Sequence, residues 1–528
     1  MKRFQNCQIM MSILRICVGI NLDTNIKNFQ AKQLNIIILG GGTAGWMAAN
    51  IFMKKWSSKD VNITLIESPE IGIIGVGEGS TPTLKRFFET IEIPESDWMP
   101  CCNATYKLNI RFDDWSPKSG MASYSHPFTS QVDVHTSNAF LTNSRTRRLG
   151  LDTNTTPGDF LINGVLAQQG KGPIASENFP FIMEYGYHFD SHLLGKYLSD
   201  LGVSRGVIFK QAHIENVERK SDGDITALVT KDGERLKADL FVDCTGFAAK
   251  LMQQTLEVPF KSYKENLFND SAVVMQTPIS QVVPVETVST ALSAGWCWQI
   301  PLSNRFGNGY VYSSDFISDD AAEVEFRTHI GMLDSSEGCR HLKMKVGQVE
   351  KHWSHNCIGL GLSQGFIEPL EATALHLVQL CIELFASKFE QGGFSPKFRD
   401  EYNNAIEQRF ERVRDYIVAH YKMNTREDSE YWRANRDNPK LSKSLINILD
   451  VWYKRDDLKQ EIVRQGLSSH FDAVSWNCLL SGYGAFPPLD KNQPGKGDLY
   501  IENNVGSFLQ RCSLNFDSHN AHLDRLKN

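Results

Sequence analysis

The sequence predicts an α/β fold organised on a parallel sheet, and three observations predict it. Residues 36–39 (IIIL) form an apolar run too short for a helix and suited to a strand buried on both faces. Gly40, Gly42 and Gly45 follow in G-x-G-x-x-G spacing, and residues 43–55 are then rich in helix formers. A second strand, residues 62–66 (NITLI), ends at Glu67. Strand, glycine turn, helix, strand and terminal acid together make a Rossmann-like unit.

Each part has a physical task. The first glycine permits the tight turn, the second lets backbone approach a pyrophosphate, and the third packs helix against strand. Thr43 and Ala44 open a helix whose N-terminal amides face the phosphates, and Glu67 lies a little beyond the customary distance for an acid that hydrogen-bonds a ribose. A glycine fingerprint alone also fits an unliganded turn. The complete unit points to a dinucleotide without saying which, and Gly40, Gly42, Thr43, Ala44, Gly45 and Glu67 are its candidate ligands.

At 528 residues the chain exceeds one ordinary core, so more than one structural unit is expected. Apolar content of 41% and charge of 22% are those of a globular protein. A net charge of -6 with no long basic run argues against nucleic acid as a partner. Eleven cysteines without a C-x-x-C fit reduced thiols in a cytoplasmic protein better than a disulfide framework. Residues 9–20 are apolar, but Arg15 interrupts them and the run is too short to span a bilayer. Residues 1–34 therefore read as a disordered extension, and no membrane is expected.

Residues 72–82 (GIIGVGEGSTP) form a glycine-rich loop able to approach a flat ligand, with Gly77 and Glu78 as candidates. Residues 106–112 read as one strand carrying Lys107, which is a solvated surface charge or a site residue. Residues 116–180 are rich in Gly, Ser, Thr, Asn and Pro and read as long loops covering a site; within them Tyr124, His126 and Phe128 form an aromatic group. Residues 187–198 read as a helix, and residues 239–246 (DLFVDCTG) as a buried strand ending in a glycine turn at Gly246.

Residues 295–301 (GWCWQIP) alternate as a strand, so Trp296 and Trp298 share one face and Cys297 the other. That pair is either sheet-core packing or a rigid wall. Residues 358–380 (IGLGLSQGFIEPLEATALHLVQL) give a glycine turn, then Glu368, Pro369 and Glu371, then a helix from about Ala372; beyond residue 380 the pattern is mostly helical. Two decoys are set aside. Gly361 to Gly365 matches G-x-S-x-G, but Pro369 lies where the helix after the nucleophile should run. His188 and His192 lie four apart, yet Phe189 stands where a zinc motif wants glutamate, so they and His352 and His355 read as structural, and no metal is expected.

At GWCWQIP the assembled segments resemble one family, the flavin-dependent halogenases of the tryptophan-halogenase type. GGGTAGWMAA resembles their FAD fingerprint, GVGEGSTP their glycine-rich flavin loop, and NATYK the segment bearing their catalytic lysine. GWCWQIP resembles their W-x-W-x-I-P signature, and EPLEATA their EPLEST-G segment. The resemblance runs from about residue 35 to 435. It implies a flavin monooxygenase-like FAD-binding domain over residues 35–380, with the covering loops of 116–180 inserted, and a mostly helical substrate-binding region over 381–528.

What the resemblance implies about chemistry is specific. FADH2, O2 and a halide ion, chloride or bromide, make hypohalous acid, which crosses to a separate substrate chamber. Lys107 would hold the oxidant, as a haloamine or by hydrogen bonding, and Glu371 would polarise it or take the ring proton. The backbone amides of Thr373 and Ala374 would bind halide. Gly77, Glu78, Gly246, Trp296, Trp298 and Leu362 would line the cofactor, the two tryptophans keeping organic substrate away from it. His126 and Phe128 would sandwich an indole ring, with Trp476 as a further aromatic wall. A separate flavin reductase would supply FADH2, and a homodimer is left open.

Two departures matter. Ala372 replaces the family's serine, which removes a proposed link between the flavin and lysine sites, and the tyrosine-rich segment that grips the tryptophan amino-acid group, which bears on substrate, is not evident after residue 440. The expected substrate is thus an electron-rich aromatic of indole or phenol type other than free tryptophan. The rivals are a flavin monooxygenase that hydroxylates its substrate and a non-catalytic flavin-binding protein.

Overall fold

The computed structural model describes residues 33–69, 77–467 and 471–527. The expectations for residues 1–32, and for residues 72–76 of the glycine-rich loop, lie outside the described residues. From Leu34 onward the chain packs as one compact unit around a shared apolar core that reaches from Ile36 to Leu523.

The Rossmann-like unit forms as the sequence predicts. Strand β1 (Leu34–Leu39), helix α1 (Thr43–Lys55) and strand β2 (Val61–Glu67) build the centre of a six-stranded sheet. Leu240–Asp243 and Ile208–Gln211 flank β1 and β2, all four running parallel, and Cys357–Gly359 extends the parallel set beyond Leu240–Asp243. Burial on both faces explains why β1 reads as an unbroken apolar run rather than an alternation.

Next in the chain come β3 (Glu78–Gly79), β4 (Thr105–Lys107), β5 (Asn109–Asp113), β6 (Ser123–Pro127) and β7 (Gly186–Phe189). The single strand expected over residues 106–112 is two, in different sheets. Leu108 is the break: its N–H donates to the Val285 carbonyl and its own carbonyl accepts from Phe128 N–H. Strands β3 and β4 sit on either side of β7 in a small antiparallel sheet. Strands β5 and β6 instead close the edge of a seven-stranded sheet that also contains β8 (Glu286–Leu292), β9 (Gly295–Pro301) and β10 (Arg305–Tyr312).

Other expectations are corrected. The covering segment 116–180 contains helices at Ser137–Arg147, Pro157–Phe160 and Ile162–Gln168 as well as strands, with Ser130 and Asp133 forming a capping box at the 3-10 turn Gln131–His135. The helix expected over 187–198 is β7 followed by Ser191–Ser204, and Asp190 caps it by accepting from the amides of His192 and Leu193. His188 and His192 consequently never share a helix face. The C-terminal region is mostly helical, with α2 (Ala374–Gln391), α3 (Arg399–Met423) and α4 (Ala473–Gly482) next to the site. The expected boundary between residues 380 and 381 falls inside α2, which packs on α1 and on α3.

Candidate functional site

The glycine turn has the geometry its spacing demands. Gly40 has φ +116°, and a Cβ there would lie 2.2 Å from the Cys244 carbonyl oxygen. A Cβ on Gly45 would lie 2.1 Å from the Gly40 carbonyl oxygen, so helix meets strand with no room for a side chain. At Gly42 the same construction meets no protein atom within 4 Å. The backbone at the start of α1 is therefore bare toward open space, with the unpaired first-turn amides of Thr43 and Ala44 beside it. The Glu67 carboxylate lies against this turn, its Cδ 2.6 Å from where a Gly41 Cβ would stand. Burial raises the Glu67 pKa above the usual carboxylate value.

Of the other expected cofactor residues, Gly246 and Leu362 lie beside this turn. Gly246, at φ +64°, likewise has no atom within 4 Å of a Cβ position and follows the strand next to β1. Leu362 lies in a 3-10 turn, and a Cβ on the preceding Gly361 would lie 2.9 Å from Ala44 Cβ, which puts this turn on the head of α1. Gly77, at φ +122°, packs on Ile300 and Leu302 at the end of β9. Burial pushes Glu78 up to about 7. Open glycine backbone, helix amides and a carboxylate at the strand end fit the pyrophosphate and ribose of FAD.

Lys107 is fully buried and is not a surface charge. Among the described residues its Nζ has no hydrogen-bond partner and stands 5.6 Å from the Phe128 ring centroid. A Cβ on Gly79 would come within 3.1 Å of that nitrogen, so the glycine-rich loop makes room for the amine. Burial lowers the Lys107 pKa to about 7, with the charge of Glu371 opposing. The amine thus changes charge near neutrality, beside the loop expected to line the cofactor.

Glu371 has two imidazole partners. His126 Nδ1 lies 3.0 Å from both carboxylate oxygens, and His420 Nε2 lies 2.9 Å from Oε1. Burial would raise the Glu371 pKa, but the charge of His126 and the hydrogen bonds from His126 and His420 outweigh it and hold the pKa at about 2. Glu368, three residues earlier, has the opposite fate. Its Oε2 accepts from Trp296 Nε1, Asn269 Nδ2 and the Tyr421 hydroxyl, each at 2.8 Å, while burial raises its pKa. The EPLE turn therefore braces the tryptophan pair with its first acid and presents its second to Lys107.

Trp296 and Trp298 do share a face, their ring centroids 6.0 Å apart, and Cys297 packs in a separate cluster behind them. The Trp298 ring covers Gly309, where a Cβ would stand 2.1 Å from Cζ2. Thr373 is the N-cap of α2 and Ala374 its first residue, two positions later than the expected start. Ala372 has φ +55°, outside any helix. The first-turn amides of α2 are left without intrahelical partners.

Trp476 on α4 is buried and meets Tyr416 edge-on at 4.8 Å. Tyr416 also stacks on Phe471 at 3.6 Å and lies 6.1 Å from His126. Sequence reasoning missed Tyr416, His420, Phe471 and Tyr483. The available signal was DYIVAHY on α3, where Tyr416 and His420 are four apart and share a helix face. Both decoys stay structural: the buried Ser363 hydroxyl donates to the carbonyls of Leu360 and Asp243, and His188 is held between Thr105 and Thr287. No group of three metal-ligating side chains occurs among the described residues, and none of their helices is long and apolar enough to cross a membrane.

Residues 35–494 match the family model described as tryptophan halogenase. The chain belongs to the tryptophan halogenase family. It is 38% identical over 439 residues to tryptophan 6-halogenase SttH of Streptomyces toxytricini, covering 79% of this chain and 83% of that protein. It is 33% identical over 480 residues to tryptophan 7-halogenase RebH of Lentzea aerocolonigenes, covering 86% and 90%. The solved structure of BrvH, a flavin-dependent halogenase from Brevundimonas sp. BAL3, superposes with a TM-score of 0.77 at 30% identity over 93% of this chain and 99% of that one. This halogenase is accordingly an oxidoreductase of a flavin-dependent family with a Rossmann-type FAD-binding fold.

Proposed function

We propose that the protein is an FADH2- and O2-dependent halogenase that delivers halogen through Lys107 to an electron-rich aromatic, an indole or phenol other than free tryptophan. The observation that carries this reading is a fully buried lysine with no hydrogen-bond partner among the described residues, between the glycine-rich loop and a carboxylate. Burying an amine without a partner costs several kcal/mol, so its place here calls for a function.

Bound FADH2, with O2 and a halide, would supply hypohalous acid; Gly40, Gly42, Thr43, Ala44, Gly45, Glu67, Glu78, Gly246 and Leu362 would hold the flavin nucleotide. The first-turn amides at Thr373 and Ala374 suit a halide, which needs donors and no directional bond. Lys107 receives the oxidant. As ammonium its N–H would donate to the hypohalous oxygen and draw electrons from halogen; as free amine its lone pair would attack the halogen while the oxygen–halogen bond breaks, the departing hydroxide taking one N–H proton to leave as water and a haloamine remaining. Phe128 and His126 flank the ring, fixing which carbon faces Lys107. Glu371 takes the proton that this carbon loses once the carbon–halogen bond has formed. Trp296, held by Glu368, and Trp298 exclude the organic substrate from the cofactor side.

The aromatic character of the far wall, Tyr416, Phe471 and Trp476, supports a substrate recognised by stacking rather than by a charged amino-acid group. The decisive experiment supplies FADH2 from an external flavin reductase and screens small indoles and phenols by mass spectrometry, with chloride and bromide in turn. Monohalogenated product that requires Lys107 is expected. Oxygenated product independent of halide would replace this reading with a monooxygenase, and turnover with NADH and FAD but no reductase would remove the separate partner.

A further inference from the structure

His420 is a fully enclosed histidine in contact with Glu371, and no step above uses it. It is fully buried on α3, and its ring lies 4.8 Å from Phe112, 5.5 Å from Tyr416 and 5.6 Å from Tyr483. Both nitrogens are engaged. Nε2 faces Glu371 Oε1 at 2.9 Å, while Nδ1 lies 3.0 Å from the Tyr483 hydroxyl and 3.4 Å from that of Tyr124.

The hydrogen positions follow from the chemistry of the groups. A neutral imidazole has one donor and one acceptor nitrogen, and an ionised carboxylate only accepts. Nε2 must therefore carry the hydrogen, leaving Nδ1 to accept from the tyrosines. Burial lowers the His420 pKa below its ordinary value, which favours the neutral ring, and burial also pushes the Tyr483 and Tyr124 hydroxyls well up, which keeps them donors. Lys107 on β4, His126 and Tyr124 on β6, Tyr416 and His420 on α3, Cys478 on α4 and Tyr483 just beyond it are the groups that bear on Glu371.

We propose that His420 is a positioning residue for Glu371: its Nε2–H, fixed by the tyrosine hydroxyls on Nδ1, orients the carboxylate and favours its charged form. His126, the other imidazole on this carboxylate, is less enclosed, its side chain 11% exposed against 0% for His420. Losing the charge would have two effects. A protonated Glu371 cannot take a ring proton, and Lys107 would lose the one negative charge that opposes its deprotonation. The inference rests on the halogenase reading for its consequence and on the hydrogen bonds alone for its cause.

The test compares His420→Leu, His420→Gln and Tyr483→Phe with the unaltered protein, each with FAD and an external reductase, between pH 5 and pH 9. With Glu371 at about 2 in the unaltered protein, the acid limb of kcat lies below this window. In His420→Leu, burial with one imidazole partner lost should raise it by about 3 pH units or more, into the window, with KM changed about twofold at most. His420→Gln, whose amide N–H still donates to Glu371, should restore most of kcat. Tyr483→Phe should shift the limb the same way by less, and it stands in if the leucine variant does not fold.

A second readout needs no turnover. Infrared difference titration with isotope-labelled glutamate, referenced to Glu371→Gln, reads the Glu371 carboxylate directly and should show its protonation at higher pH in His420→Leu. Equal titrations in all variants, or equal loss of kcat at every pH in His420→Leu and His420→Gln, would overturn the inference. If the unaltered protein does not halogenate, the halogenase reading fails and the infrared titration still judges His420.

Discussion

Replacing Lys107 by methionine should make the protein more stable and halogenation-dead at once. Burial brings the lysine from its ordinary 10.5 to about 7, net of the attraction from Glu371. At about 1.4 kcal/mol per pH unit, the folded state carries up to about 5 kcal/mol of destabilisation from this one amine at neutral pH. Methionine matches the stem in volume and has no charge to desolvate. Unfolding entropy for a chain of 528 residues is about 1 kcal/mol per kelvin, so Tm should rise by about 2–5 °C at pH 7.

The pH dependence gives the sharper check. Between about 7 and 10.5 the unfolded chain binds a proton at residue 107 that the folded chain does not. Stability of the unaltered protein therefore rises with pH across that window. The advantage of Lys107→Met is full below about pH 7 and shrinks toward zero near pH 10.5. Calorimetry of both proteins at pH 7 and pH 10, at one scan rate, measures this. A Tm for the variant no higher at pH 7, or an advantage as large at pH 10, would refute the argument that the amine is held unpaired in a dry site.

Three further outcomes follow from the geometry. Gly42→Ala should fold normally, because the added methyl meets no protein atom, yet should weaken FAD binding in a fluorescence titration; unchanged affinity would mean the open space is not the cofactor's. Glu371→Gln should lower kcat by about 100-fold or more with little change in KM, measured by product formation with an external reductase. Trp296→Phe removes the indole donor to the buried Glu368 and should cost about 1–3 kcal/mol of stability by denaturant midpoint.

The cofactor half of the site was legible because its signals are local. Gly45 is forced by its clearance from the Gly40 carbonyl within one turn, Gly40 by its positive φ, and the strand at GWCWQIP is fixed by its own alternation. The substrate half is assembled from afar. His420 reaches Glu371 from a helix 49 residues downstream, and no local pattern announces that meeting. The break at Leu108 was invisible for the same reason, since its partners, Val285 and Phe128, come from elsewhere in the chain. The helix at Ser137–Arg147 escaped because its polar composition lacks an apolar stripe, and packing rather than propensity decides it.

The change of sheet at Leu108 also sets what variation this region can absorb. Lys107 is the last residue of one ladder and Asn109 the first of another, with a single residue spanning the seam. Inserting or deleting one amino acid between them would slip one ladder against its neighbours and turn every side chain beyond it to the opposite surface. Length at this seam should consequently be invariant in any functional variant, while chemistry at the aromatic far wall, carried on separate helices, stays free to diversify.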